Sequence, residues 1–131
     1  MAGSGWADKR PMSPHLQVWR WHVTMATSIF HRAGGVALYA GSLLLVGWLV
    51  AAASGPEAYA AYEGVLLSPV GLVLLFAFTA AATFHFANGL RHLLWDMGKG
   101  LDVKDANASG WFVILFAAVA TILIWVGAFL A

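Results

Sequence analysis

The chain has 131 residues, 61% of them hydrophobic and 10% charged, with a net charge of +1 and no cysteine. Soluble domains carry about 25% charged residues, so one soluble core of this length has too little polar surface to cover so much apolar side chain. The near-neutral charge provides no field for nucleic acid, and the lack of cysteine removes disulfides, thiol chemistry and any iron–sulfur cluster held by this chain alone.

Residues 1–23 form a mixed, polar N-terminal segment. With Asp8, Lys9, Arg10 and Arg20 it lacks the short apolar core and cleavage site of a signal peptide. Its stretch Ser13 to His22 (SPHLQVWRWH) interleaves aromatic, apolar and basic residues, which suits a membrane surface or the face of a soluble partner. Three uncharged apolar runs follow: 21 residues from Ala33 to Ala53, 20 from Val65 to Phe84, and 21 from Trp111 to Ala131. About 20 such residues cross a ~30 Å hydrocarbon core as a helix, whereas buried strands are far shorter. The expected fold is therefore an all-α integral membrane domain over 24–131, with three transmembrane helices over about residues 24–53, 68–97 and 109–131.

The punctuation agrees with these limits. Gly55-Pro56 stops the first helix. Ser68-Pro69 pairs an N-cap with proline at the first helical position, which leaves residues 57–67 at the interface. Gly98 and Gly100 mark the exit of the second helix, and Asn107 or Ser109 is placed to cap the third. All seven basic residues (Lys9, Arg10, Arg20, Arg32, Arg91, Lys99 and Lys104) lie in the N-terminal segment, the second loop or the helix ends facing them, while the first loop carries Glu57 and Glu63. The positive-inside rule puts the N-terminus in the cytoplasm or matrix and the C-terminus outside, with Trp6, Trp19, Trp21, Trp95 and Trp111 as an aromatic belt at the inner boundary.

Ionisable groups inside a membrane helix cost free energy unless paired, which makes them functional candidates. Ser28, His31 and Arg32 share one face of the first helix at offsets of three and four. A hydroxyl, an imidazole and a guanidinium together suit a carbonyl whose oxygen gains negative charge on reduction; snorkelling of Arg32 and His31 to head groups is the plainer account. The second group is His85, Asn88, Arg91 and His92 in the second helix, of which Arg91 and His92 are near the inner boundary, where snorkelling again suffices. His85 lies about 9 Å deeper at 1.5 Å per residue. It stands in a stripe of small residues, Ala77, Ala81 and Gly89, that a flat macrocycle could approach with imidazole as axial ligand. A packing histidine and a proton-relay or substrate role are equally open from the residues alone. The stripe Ala33, Ala37 and Gly41 reads as a helix–helix contact. No phosphate loop, HExxH or nucleophile–base pairing is present, and no carboxylate falls between Asp8 and Glu57 or between Glu63 and Asp96, which speaks against a hydrolase, a carboxylate-based pump or a transporter.

At these residues the chain resembles a known family, the cytochrome b subunit (large membrane anchor) of succinate dehydrogenase, respiratory complex II. The resemblance covers nearly the whole length. It starts with Arg10-Pro11-Met12-Ser13-Pro14-His15-Leu16, continues with Ser28-Ile29-Phe30-His31-Arg32, and is strongest in His85-Phe86-Ala87-Asn88-Gly89-Leu90-Arg91-His92-Leu93-Leu94-Trp95-Asp96-Met97-Gly98. One departure is visible: where the family usually has serine or threonine two residues after the His-Arg pair, this chain has Ala33-Gly34-Gly35. That removes any role for that hydroxyl and leaves Ser28 and Arg32 untouched.

The resemblance implies half of a heterodimeric anchor bundle, in which a second small membrane subunit supplies the rest. It implies a haem b between the two anchors, with His85 as an axial ligand of the iron and the other axial histidine from the partner. Ser28 and Arg32 match quinone-binding positions, with ubiquinone as substrate, and His31, Arg32 and His92 are placed to hold haem propionates. FAD and iron–sulfur clusters belong to partner subunits, a flavoprotein and an iron–sulfur protein, so this chain has no catalytic residue for succinate oxidation itself. The remaining partner is the lipid bilayer, not nucleic acid. A bacterial inner membrane with a cytoplasmic N-terminus is expected in preference to the mitochondrial inner membrane, because the N-terminal segment lacks an Arg/Ser-rich amphipathic presequence. The alternatives are the anchor of a fumarate reductase and a haem-free structural anchor.

Overall fold

The computed structural model describes residues 20–131. Four helices follow in order: α1 (Val23–Ser54), α2 (Pro56–Leu66), α3 (Pro69–Asp96) and α4 (Val103–Leu130). No strand occurs among the described residues. Helices α1, α3 and α4 are long and apolar enough to cross a membrane. The N-terminal motif from Arg10 and the aromatic residues Trp6 and Trp19 lie outside the described residues.

The helix ends follow from local chemistry. Helix α1 stops at Gly55, whose φ of 115° is open to glycine but strained for other residues, and Pro56 then starts α2 at its first position. Ser68 caps α3 by accepting a hydrogen bond from the Gly71 amide at 3.1 Å, with Pro69 next in line. The other end of α3 closes in a Schellman motif: Gly98, at φ 72°, donates to the Trp95 carbonyl, and Lys99 donates to the Leu94 carbonyl.

Two elements differ from the expectation. Residues 57–67 were assigned only to the interface; Pro56–Leu66 is a helix in its own right. It turns back on α1, with the Tyr62 hydroxyl donating to the Leu44 carbonyl at 2.7 Å and Tyr59 meeting Trp48 edge-on. The last helix begins at Val103, with Asp102 as its N-cap residue, rather than near Asn107 or Ser109. Its first two turns are polar, so a search for apolar runs passes over them. Asp105 in the first turn is favourable at the positive end of the helix dipole.

Helix α3 is the centre of the bundle, in contact with both α1 and α4. The faces that meet are made of small residues. On α4 the buried stripe is Gly110, Val113, Ala117 and Thr121. Between α1 and α3, the ring of Phe78 lies over Gly41, where any Cβ would collide with it. Of the expected contact stripe, Gly41 packs in this way, while Ala33 and Ala37 line an open apolar groove with Ala81, Phe84 and Ile114. Hydroxyls add to the α3–α4 seam: Thr83 and Thr121 share a hydrogen bond of 2.9 Å, and Trp125 Nε1 donates to Thr79 at 3.2 Å. The large apolar side chains point outward, among them Leu43, Phe86, Leu115 and Leu123, all more than half exposed. This is the arrangement of a bundle whose surroundings are as apolar as its interior.

The Thr83–Thr121 contact predicts a modest coupling. A double-mutant cycle of Thr83→Val and Thr121→Val, read by unfolding in detergent, is expected to give about 0.6 kcal/mol.

Candidate functional site

The chemistry-bearing residues gather at the N-terminal end of α1 and the C-terminal end of α3. His31 and His85 stack face to face, with ring centroids 3.8 Å apart and planes 10° apart. His92 is tilted against His31 at 5.2 Å and meets Trp95 edge-on at 5.1 Å. All three imidazoles are half-buried.

The backbone of α1 holds His85. Its Nδ1 is 3.2 Å from the His31 carbonyl oxygen. A carbonyl only accepts, so Nδ1 carries the proton, and in the neutral ring the Nε2 lone pair is free. Gly35 makes this approach possible: a Cβ there would be 3.2 Å from His85 Cε1, and one at Gly34 would be 4.0 Å from Nδ1. Gly35 thus forms the seat of the imidazole, with Gly34, the position that departs from the family pattern, beside it. A Cβ at Gly89, one turn beyond His85, would meet nothing within 4 Å. This donor set fits a haem: one oriented imidazole with an unprotonated Nε2, beside open space on the same helix face. Among the described residues, no group of three or more His, Cys, Asp or Glu is placed to hold a metal ion. His31 Nδ1 is buried without a hydrogen-bond partner among the described residues.

Ser28 and Arg32 lie one turn apart on α1, half-buried and exposed respectively. The residues of α1 that meet α3 include Thr27, His31, Gly34, Gly35 and Gly41. At 100° per residue, Ser28 and Arg32 lie roughly 20° and 60° beyond Gly35, on the His31 flank of that seam. None of Ser28, His31, Arg32, His85 and His92 lines the apolar groove at Ala33 and Phe84.

Arg91 overturns its sequence reading. Rather than snorkelling to the surface, it is only 4% exposed. Its Nε donates to Ser109 (2.9 Å), one terminal nitrogen to Thr27 (3.1 Å) and Asn88 Oδ1 (3.2 Å), and the other to the Ala106 carbonyl (2.7 Å). The guanidinium lies 4.0 Å over the Trp95 ring. None of these partners is a carboxylate: neutral acceptors and an aromatic face hold the charge. Thr27, Asn88 and Ser109 therefore belong to the site's framework; Asn88 stands in the polar group of the second helix read from sequence, while the part of Thr27 and Ser109 was missed. The available signal was weak: Asn88 and Arg91 are three apart and share a face, but their acceptors come from other helices.

Three membrane-length helices, with a histidine cluster at one end and further polar groups beside it, define a multi-pass α-helical membrane protein with a candidate site at that end. Residues 7–124 match the family model described as the succinate dehydrogenase/fumarate reductase transmembrane subunit. The chain belongs to this family. It is 41% identical over 114 residues to the succinate dehydrogenase cytochrome b556 subunit of Paracoccus denitrificans, covering 87% of this chain and 88% of that relative. Against the subunit of the same name from Rickettsia prowazekii the identity is 35%, over 91% of this chain and 93% of the relative. The mitochondrial cytochrome b560 subunit of Sus scrofa is 34% identical over 88% of this chain and 69% of its own length.

The Arg91 network predicts a structural cost. Arg91→Leu is expected to lower stability by about 2–3 kcal/mol, because acceptors on three helices lose a charged donor. Arg91→Lys restores only part of that, since an ammonium cannot span the same acceptors. Unfolding in detergent measures both.

Proposed function

We propose that this chain is a membrane-anchor subunit of a succinate:quinone oxidoreductase that binds a b-type haem and helps form a ubiquinone-reduction site. The observation that carries the haem reading is the orientation of His85: its Nδ1–H is committed to the His31 carbonyl, which turns Nε2 into a ligand of fixed tautomer. The second axial ligand comes from another small anchor subunit. When bound, haem supplies one-electron storage beside the quinone site. His31, Arg32 and His92 are the groups of this chain assigned to its propionates.

Ser28 and Arg32 serve the quinone. The hydroxyl donates a hydrogen bond to a quinone oxygen, and the guanidinium offsets the negative charge that grows there as electrons arrive. The exposure of Arg32 beside the His31 flank of the seam supports a pocket whose other wall is a partner: the second anchor, or the iron–sulfur subunit that delivers electrons from an FAD-bearing flavoprotein. A lipid-soluble acceptor and a water-soluble donor meet at the membrane boundary, which is where a polar face at the end of α1 belongs. The bacterial relatives support a bacterial inner membrane, and the distribution of basic residues supports a cytoplasmic N-terminus. The family description covers fumarate reductases as well, but the relatives named above carry succinate dehydrogenase names, which favours succinate oxidation.

His85→Leu is expected to remove or shift the reduced-minus-oxidised haem spectrum of the purified complex, and an unchanged spectrum sinks the ligand assignment. Ser28→Ala and Arg32→Leu are expected to slow quinone reduction, the latter by about tenfold or more, while succinate oxidation with a soluble dye is kept. Equal loss in both assays marks an assembly defect and argues against the quinone role.

A further inference from the structure

We propose that Asn88 is a positioning residue which, held by Arg91, locks His92 as the Nδ1–H tautomer and so presents that N–H as a donor to a carboxylate of the bound cofactor. The proposal rests on the haem reading above and names how one of its anionic groups is met.

The assignment follows from which atoms can only donate. Arg91 has five N–H donors and no acceptor, so the Asn88 atom it meets at 3.2 Å is the amide oxygen. That turns the Asn88 NH2 toward His92 Nε2, 3.3 Å away. An amide NH2 only donates, so His92 Nε2 accepts, and a neutral imidazole that accepts at Nε2 carries its proton on Nδ1. Rotating the Asn88 amide by 180° sets an NH2 against a guanidinium, donor against donor, and Asn88 is fully buried, so that clash is costly.

Arg91 cannot turn to suit a rotated amide, because Ser109 and the Ala106 carbonyl of α4 fix its other nitrogens. The tautomer of His92 is therefore specified from α4 through two side chains of α3. A neutral Nδ1–H donor has a use here: it binds a carboxylate without requiring the imidazole to hold a charge inside the membrane.

The test uses the whole complex, haem reduced, with 15N-labelled histidine and the His92 ring signals identified by their loss in His92→Gln. Wild type is expected to show Nε2 as the unprotonated nitrogen. In Asn88→Asp, the carboxylate beside Arg91 only accepts, so His92 Nε2 becomes protonated and its signal loses the character of an unprotonated nitrogen. The haem midpoint potential is expected to fall with it. A protonated Nε2 in wild type, or an Nε2 signal unmoved in Asn88→Asp, overturns the proposal. If Asn88→Asp does not assemble, Asn88→Leu removes both contacts without adding charge. Both tautomers are then expected, and a single unprotonated Nε2 overturns the proposal. Loss of the haem reading itself is distinguishable: a complex without haem absorbance still yields the His92 nitrogen signals.

Discussion

Burial of one guanidinium with no carboxylate partner among the described residues sets the terms for the rest of the bundle. In a hydrocarbon environment an unsatisfied donor costs several kcal/mol, so the acceptors of Arg91 have to be where its nitrogens are. They come from three helices: Thr27 on α1, Asn88 on α3, and Ser109 with the Ala106 carbonyl on α4. Gly110 keeps α4 close, since a Cβ there would press on Val23 at 3.1 Å and stand 3.6 Å from Arg91. Once these contacts are made, the depth and rotation of each helix at this end follow. The histidines then fall together on one flank of the α1–α3 seam, and the apolar groove at Ala33 and Phe84 stays clear of them.

The spans themselves were legible because membrane helices are read from length and apolarity alone, and their ends because Gly55-Pro56 and Ser68-Pro69 are local chemistry. Helix α2 was not legible for the same reason in reverse. At 11 residues it is too short to register as a span, and its hold on α1 is a tyrosine hydroxyl reaching a carbonyl 18 positions away. The early start of α4 was hidden by its polar first turns. Arg91 was misread because its position near a helix end is also where lysine and arginine reach the surface. Only the folded bundle brings Thr27 and Ser109 within reach. His31, His85 and His92 were each visible as polar intrusions, but their stacking depends on how closely Gly34 and Gly35 let α3 approach.

The polar residues divide by whether this fold uses them. Arg91, Asn88, Thr27 and Thr121 are buried and hydrogen-bonded within the bundle. Ser28 and Arg32 lie on the His31 flank of the α1–α3 seam, half-buried and exposed respectively, and open space adjoins Gly89. At the end of a membrane helix such groups are met by lipid head groups, by other protein or by a bound group.

The glycines after Arg32 connect the two sets. In the regular helix the His31 carbonyl already accepts from the amide four residues on, that of Gly35. A carbonyl has a second lone pair, but in a helix the following side chains usually cover it. With no Cβ at Gly34 or Gly35, the imidazole of His85 reaches that lone pair from α3. One pair of hydrogen atoms in place of side chains thus joins helix packing to ligand orientation: the close approach that stabilises the α1–α3 seam also fixes which nitrogen of His85 is left free. A side chain at Gly35 would trade a tighter fit of α1 against itself for a histidine that no longer has a defined direction.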